Sequence, residues 1–447
     1  MPTHASRVAA CLALTVVAGA WPTAVSPAVP AVPATVADYV AGRHPVRVLL
    51  AKSVARVRLT ADRPLSVVAD GCPTPTCMGT SVVLACEGMS VTVAEGCSAG
   101  PLRPAPEYRF AAEPRGPIAV RAVDARSGRV AVEGTYRGAI VVVPSSSGAA
   151  IVNELPVDDY LCGVLGPEIG DDAPPAALRA QAIVARSFAL FRVLHRPRSP
   201  HYHLVATTTD QVYRGQDRES GSVRKAVDDT KGWLLAVGGD VVDATYHDTS
   251  GGTTAEPEVL WGGPVAGVVS VFDGAGTCPS LAEESAAREF LLHPPSSTYG
   301  HSSPVFRWRV RYSAAELTAA LAETLPAARI GRLTDVTVGQ RSASGRVGRL
   351  TFVGSDASAS VHGDAIRWVF GGARCQPLRS TLVAVDKEGQ ALPHPAYEFF
   401  GGGWGHGAGL SQTGAIEMAR AGADHPAILH HYYPASQLVR VPDPGAP

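Results

Sequence analysis

Between Ala176 and Leu194 the only polar side chains are Arg179, Gln181, Arg186, Ser187 and Arg192. Pro174-Pro175 precedes this run and suits a first helical turn. A helix that is apolar around most of its circumference is buried in a larger core, so this segment demands a domain wrapped around it. Gln181 and Arg186 then lie inside that core and need partners, because an unpaired buried polar or charged group is costly. Hydrophobic residues make up 46% of the 447, which is ample for such a core.

Upstream, from Val46 to about Val152, the texture is β. Ala55, Val57 and Leu59 alternate with Arg56 and Arg58, and Ile118, Val120 and Ala122 repeat the alternation. That is the period of a half-buried strand. Ser127-Gly128 reads as a turn, and Ala139 to Val143 is a continuous apolar run. Downstream, Ser222 to Lys231 reads as a shorter helix ended by Gly232. Trp233–Val237 and Val241–Tyr246 flank a Gly238-Gly239-Asp240 hairpin turn. Glu398 to Phe400 leads into a glycine-rich stretch, Gly401 to Gly409, and a helix follows to about Ala421, where Gly422 stops it. Asp424 as N-cap and Pro426 in the first turn start a last helix. The expected fold is α+β, a β-rich N-terminal part joined to a mixed helical and β core.

The first residues read as an export leader. Arg7 supplies the positive end, Val8 to Ala20 the uncharged stretch, and Ala18-Gly19-Ala20 a small-residue cleavage site. Residues 1–20 are thus expected to be a signal peptide and 21–44, with Pro22, Pro27, Pro30 and Pro33, an unstructured tether. Residues 45–152 form the β-rich part, and 153–440 the core. Beyond the leader no apolar run approaches a membrane span, and a formal charge of −1 argues against a general nucleic-acid binder. Of the eight cysteines, Cys11 leaves with the leader. Cys72, Cys77, Cys86 and Cys97 form a local cluster that reads as two disulfides in an oxidising compartment. A zinc knot is the alternative, without the usual C-x₂-C pairs.

Four constellations could carry chemistry. Gly403-x-Gly405-x-x-Ala408 nearly matches a dinucleotide fingerprint, but no β-α-β pattern surrounds it. Trp404 and His406 within it suit stacking on, and hydrogen bonding to, a sugar or peptide. Asp248-Thr249-Ser250-Gly251 approximates an aspartic-protease motif, yet the second copy that such chemistry needs is missing. His201-x-His203 lacks a third ligand at metal spacing. Glu168, in Gly163-Val164-Leu165-Gly166-Pro167-Glu168-Ile169, stands in an apolar turn just before the buried helix. Such surroundings favour the neutral carboxyl and suit a general acid; helix capping is the competing reading.

Several blocks together resemble the stage II sporulation protein D/LytB family. They are Glu154-Leu155-Pro156-Val157-Asp158-Asp159-Tyr160-Leu161, Pro167-Glu168, Ala177-Leu178-Arg179-Ala180-Gln181-Ala182 through Ala185-Arg186-Ser187, and Asp210-Gln211-Val212-Tyr213. Tyr246-His247-Asp248-Thr249-Ser250-Gly251-Gly252, Gly403-Trp404-Gly405-His406-Gly407-Ala408-Gly409-Leu410-Ser411-Gln412 and His431-Tyr432-Tyr433-Pro434 follow in family order. The resemblance runs from about Val46 to Leu438 and implies an exported protein of the cell wall.

The resemblance further implies lytic transglycosylation of peptidoglycan glycan strands stripped of stem peptides, with residues 153–440 as catalytic core and Glu168 as catalytic residue. Gln181, Arg186, Tyr246, His247, Ser250, Gly251, Gly252, Trp404, His406, Ser411 and Gln412 are then the expected substrate-binding residues. Arg186 or a neighbouring arginine would pair with a lactyl carboxylate. Some members bind zinc through a histidine and two cysteines ahead of the Gln-Val-Tyr segment. Here Thr207, Thr208, Thr209 and Asp210 stand in that place, so no metal and no cofactor are expected. Two other readings remain: a water-dependent muramidase with Asp171, Asp172 or Asp248 as second carboxylate, and a wall-binding enhancer partnered with an amidase.

Overall fold

The computed structural model describes residues 34–69, 76–95, 102, 104–195, 197–372, 375–388 and 395–442. It is α+β, as its element order shows. The N-terminal part is an extended, almost wholly antiparallel sheet organised around one long strand, Val46–Thr60. The first half of this strand pairs with Gly148–Leu155, and its second half with Ser81–Glu87 on one side and Ile118–Asp124 on the other. Register shifts between Leu49 and Val54 separate the halves, and Ser53 there has a φ of 52°. Bulges of this kind bend a strand and increase its twist, so one strand can serve two sections of sheet. The expected alternation holds, with Val57 and Leu59 buried and Arg56 and Arg58 exposed. The apolar run from Ala139 is a strand, Ala139–Ser145, buried on both faces. Ile140 and Val142 join the main core, while Val141 and Val143 join a small cluster behind it with Leu49 and Val152.

The apolar segment is the helix Pro175–His195. Helices Val157–Cys162, Gly221–Asp229, Gln412–Arg420 and His425–Tyr432 pack around it, with strand Trp233–Val237 on a further side. The predicted cap is in place, with Asp424 accepting from the Ala427 N–H; Ser220 and Ser411 cap two further helices by accepting from Val223 and Gly414. The 233–246 hairpin is shorter than expected. Only Asp240–Val241 pairs back on Trp233–Val237, whose other edge takes Gln437–Arg440. Tyr246–His247 instead pairs in parallel with Leu410–Ser411.

Two sequence expectations need correction. Residues 21–44 are not a tether throughout. Ala34–Val40 is a helix with Val36 and Val40 buried in the main core, because two apolar side chains one turn apart find an apolar surface. The leader itself lies outside the described residues. Cys86 is a free, buried thiol, with its pKa pushed up to about 11 by desolvation. It therefore belongs to neither of the two bridges expected from the cluster. Cys72, Cys97 and the side chain of Cys77 lie outside the described residues.

A second core escaped the sequence reading. Trp308–Ser313, Ala396–Gly401 and Val383–Glu388 form one antiparallel sheet, and Leu333–Val338, Arg349–Gly354 and Ser358–His362 another. Helix Ala314–Thr324 begins with a capping box between Ser313 and Glu316. Phe352, Phe370, Phe399 and Trp308 fill the space between them. Among the described residues no helix is long and apolar enough to cross a membrane.

Candidate functional site

Glu168 lies in the short helix Leu165–Ile169, one turn ahead of the buried helix. It is half-buried and lines a cleft of about 810 Å³. The Val212 N–H donates to its Oε1 at 2.6 Å, and the side chains of Tyr246 and Gln412 also reach the carboxylate. The parallel pairing of Tyr246–His247 with Leu410–Ser411 places those two side chains beside it. Gln211 orients the phenol, since its Nε2 donates to the Tyr246 hydroxyl at 3.1 Å while its Oε1 accepts from Tyr160 at 3.1 Å. Desolvation raises the Glu168 pKa above the usual carboxylate value. The Val212 N–H, Tyr246, Gln412 and the Arg214 charge pull it back only in part. A carboxyl so held keeps its proton to higher pH than an exposed one, which is what a general acid needs.

Two histidines stand beside the cleft. His247 is buried and donates from Nδ1 to the Ala408 carbonyl at 3.2 Å, leaving Nε2 without a partner among the described residues. His406 accepts the Ala408 N–H at its Nδ1, 3.1 Å away, and its ring lies 5.7 Å from that of His247. Burial drives the His247 pKa well below its ordinary value and that of His406 down to about 4. Both rings are therefore held in the neutral form near pH 7, and neither is a charged acid there.

The glycine-rich loop is built on close backbone approach. Gly405 has a φ of 113°, and a β-carbon there would meet the Cβ of His247 at 2.7 Å. At Gly407 one would sit 2.6 Å from the Arg346 guanidinium carbon. Trp404 is held by a backbone bridge to Thr249, yet its side chain is exposed and lines the cleft. The loop thus combines tight packing with a presented aromatic side chain.

The cleft gathers Glu168, Tyr246, His247, Trp404 and His406, and Gln412 reaches it through its contact with Glu168. The other expected ligand contacts are elsewhere. Arg186 is fully buried, and its Nε donates to Asp158 at 2.9 Å. Its remaining nitrogens bind the Thr230, Val227 and Trp233 carbonyls, so it has no free face for a ligand. Gln181 is fully buried away from the cleft, its amide without a hydrogen-bond partner among the described residues. Ser250, Gly251, Gly252 and Ser411 form a buried seam. Ser250 donates to Asp273 and, through its N–H, to Ser411 Oγ, and Gly251 packs against Gly402. Of the alternative second carboxylates, Asp248 lines the cleft whereas Asp171 and Asp172 do not.

Sequence reasoning missed part of the lining. Trp261, Asp364, Arg367, Trp368 and Arg379 line the cleft from a stretch in which it found no motif. Asp210 was visible within a motif but its role was not: its carboxylate is fully buried, paired with Arg198 at 2.7 Å and bonded to the Val205 N–H.

Comparison with known proteins matches two separate segments of the chain. Residues 145–236 match the family model described as stage II sporulation protein, and 265–409 match a domain of unknown function (DUF8618). An uncharacterized protein of Brachyspira hyodysenteriae is 26% identical over 305 residues, which is 68% of this chain and 72% of that protein. The amidase enhancer of Bacillus subtilis is 28% identical over 62% of this chain, a stretch equal to 40% of the enhancer's own length. Stage II sporulation protein D of Bacillus subtilis is 24% identical over 64% of this chain and 75% of its own. The segment bearing Glu168 and these relatives agree: residues 145–236 are similar to the stage II sporulation protein family, and relatives bearing that name align over nearly two thirds of the chain.

Proposed function

We propose that the protein is a peptidoglycan lytic transglycosylase that cleaves the β-1,4 bond after N-acetylmuramic acid in strands freed of stem peptides. The observation that carries this reading is the half-buried Glu168, its pKa raised, in the lining of a cleft of about 810 Å³. One carboxyl group serves twice. Glu168 protonates the leaving glycosidic oxygen as the C1–O bond breaks. It then takes the proton of the C6 hydroxyl as that oxygen closes on C1, which forms the 1,6-anhydro ring and restores the acid. Tyr246, fixed by Gln211, and the Val212 N–H steady the carboxylate between the two transfers. No water nucleophile and no second carboxylate enter.

Export to the cell wall follows from the same reading. Replacement of Glu168 by Gln keeps the shape and removes the transferable proton. The variant is expected to lose ~10²–10⁴-fold of the rate on denuded strands while still binding them. Unchanged activity would remove the mechanism. Similarity to an amidase enhancer supports a second reading, a wall-binding partner of an amidase. It predicts no strand cleavage by the parent protein, together with stimulation of an added amidase.

A further inference from the structure

Three tryptophans of the described residues are about half exposed: Trp261 at 45%, Trp368 at 55% and Trp404 at 50%. All three line the cleft that holds Glu168. Exposed indoles scattered singly over a surface need no explanation, but three converging in one concavity mark a binding site.

Trp261 and Trp368 are held in place. Trp261 ends the helix Pro257–Trp261, and its ring lies 5.3 Å from that of His406. The Asp364 N–H donates to the Leu260 carbonyl at 3.0 Å, which ties this helix to the segment bearing Trp368. The Trp368 indole N–H donates to Asp364 at 3.0 Å. The Arg367 guanidinium, itself paired with Asp364 at 3.0 Å, lies 5.0 Å from the ring centroid. Trp368 thus has its edge and one face fixed and keeps exposed surface for a ligand, so little ordering remains to oppose binding.

The charges of the cleft are unevenly matched. Arg198 is paired with Asp210, Arg367 with Asp364 and Arg192 with Asp243. The side chain of Arg379 is exposed and makes no ion pair or hydrogen bond with any described residue. An unpaired guanidinium beside aromatic surfaces suits a ligand that carries a carboxylate on a sugar ring.

We propose that Trp261, Trp368 and Arg379 form an anionic-saccharide subsite in the cleft that Glu168 lines. The two indoles stack against sugar faces, and Arg379 takes the lactyl carboxylate that a missing stem peptide leaves free. This inference rests on the proposed function for its ligand. Trp368 and Arg379 belong to the 265–409 segment and Glu168 to the 145–236 segment. The second core therefore selects the substrate that the first one cleaves.

The test is equilibrium binding to the full chain carrying Glu168→Gln, with two probes of equal length: peptide-free glycan oligomers and chitin oligomers, which lack the carboxylate. Trp261→Ala and Trp368→Ala are each expected to weaken both probes about tenfold, the loss of one aromatic contact surface. Trp368→Phe should recover part of the loss, and unchanged melting temperatures would show that the variants fold. Arg379→Gln should weaken the glycan oligomers about tenfold and leave chitin oligomers unaffected. Equal effects of Arg379→Gln on both probes, or no effect on either, would overturn the carboxylate assignment. Parent-like binding by both tryptophan variants would overturn the subsite. If strands are bound in this pattern but the unsubstituted protein never cleaves them, the subsite stands and the lyase reading fails. If the protein cleaves strands yet the variants bind like the parent, the subsite alone fails.

Discussion

At the residue scale the account turns on one carboxyl group. Glu168 is the acid that the sequence marks out, and the structure supplies the reason its proton persists: burial beside a cleft, only partly offset by Val212, Tyr246 and Gln412. Its folded pKa lies above the unfolded value, so the catalytically competent acid form declines as pH rises through that raised pKa. The pH–rate profile of the parent should show a falling limb at higher pH than an ordinary carboxylate would give. The same shift has a consequence for stability. At pH values above the folded pKa the protein holds a half-buried negative charge, and Glu168→Gln should then melt at a higher temperature than the parent. The difference should vanish as pH falls below the ordinary glutamate range; an advantage that persists in acid would contradict this origin. Sequence alone could not place Arg186 correctly. A buried arginine and a ligand-binding arginine look alike in a motif, and only the carbonyls of Val227, Thr230 and Trp233 around it decide the matter.

At the scale of elements, Arg186 is what joins the helices around the site. From Pro175–His195 it reaches Asp158 in Val157–Cys162, Val227 in Gly221–Asp229, Thr230 just after that helix and Trp233 at the start of Trp233–Val237. Its replacement by Ala would leave Asp158 and the carbonyls without their partner, at a cost of about 3–5 kcal/mol. Chemical denaturation should show this loss, while the activity of the molecules that remain folded stays near that of the parent. The glycine loop makes a second, independent case. Gly409 has a φ of 75°, and a side chain there would collide with the Thr245 carbonyl. Gly409→Ala is expected to destabilise by on the order of 3 kcal/mol through left-handed strain and overpacking. A variant with parent-like stability would show that the loop yields more easily than its packing implies. The helices were legible because apolar runs, stop glycines and the Asp424 cap are local signals. The parallel pairing of Tyr246–His247 with Leu410–Ser411 was not legible, since it joins residues far apart in the chain through two residue pairs.

At the scale of the whole molecule, two cores meet at one cleft. The first is announced by the apolar helix and by the alternating strands of the N-terminal sheet. The second is assembled from Trp308, Phe352, Phe370 and Phe399, which sit on short, widely separated segments. None of its strands exceeds six residues, too short for a periodic pattern to stand out. It is nevertheless bonded into the loops that line the cleft. The Trp308 indole N–H donates to the Gly403 carbonyl at 2.9 Å, and Arg307 and Arg346 donate to the Gly251 and Ser250 carbonyls at 2.9 and 2.7 Å. The seam motif Ser250-Gly251-Gly252 therefore serves as the joint between the two cores. The reaction assigned to the cleft between them leaves a chemical signature that no rival shares. The most direct measurement is mass spectrometry of peptide-free glycan strands digested by the purified protein. The account predicts fragments ending in 1,6-anhydro-N-acetylmuramic acid, each lighter by one water than a hydrolytic product. Reducing ends, or strands left uncut, would contradict it.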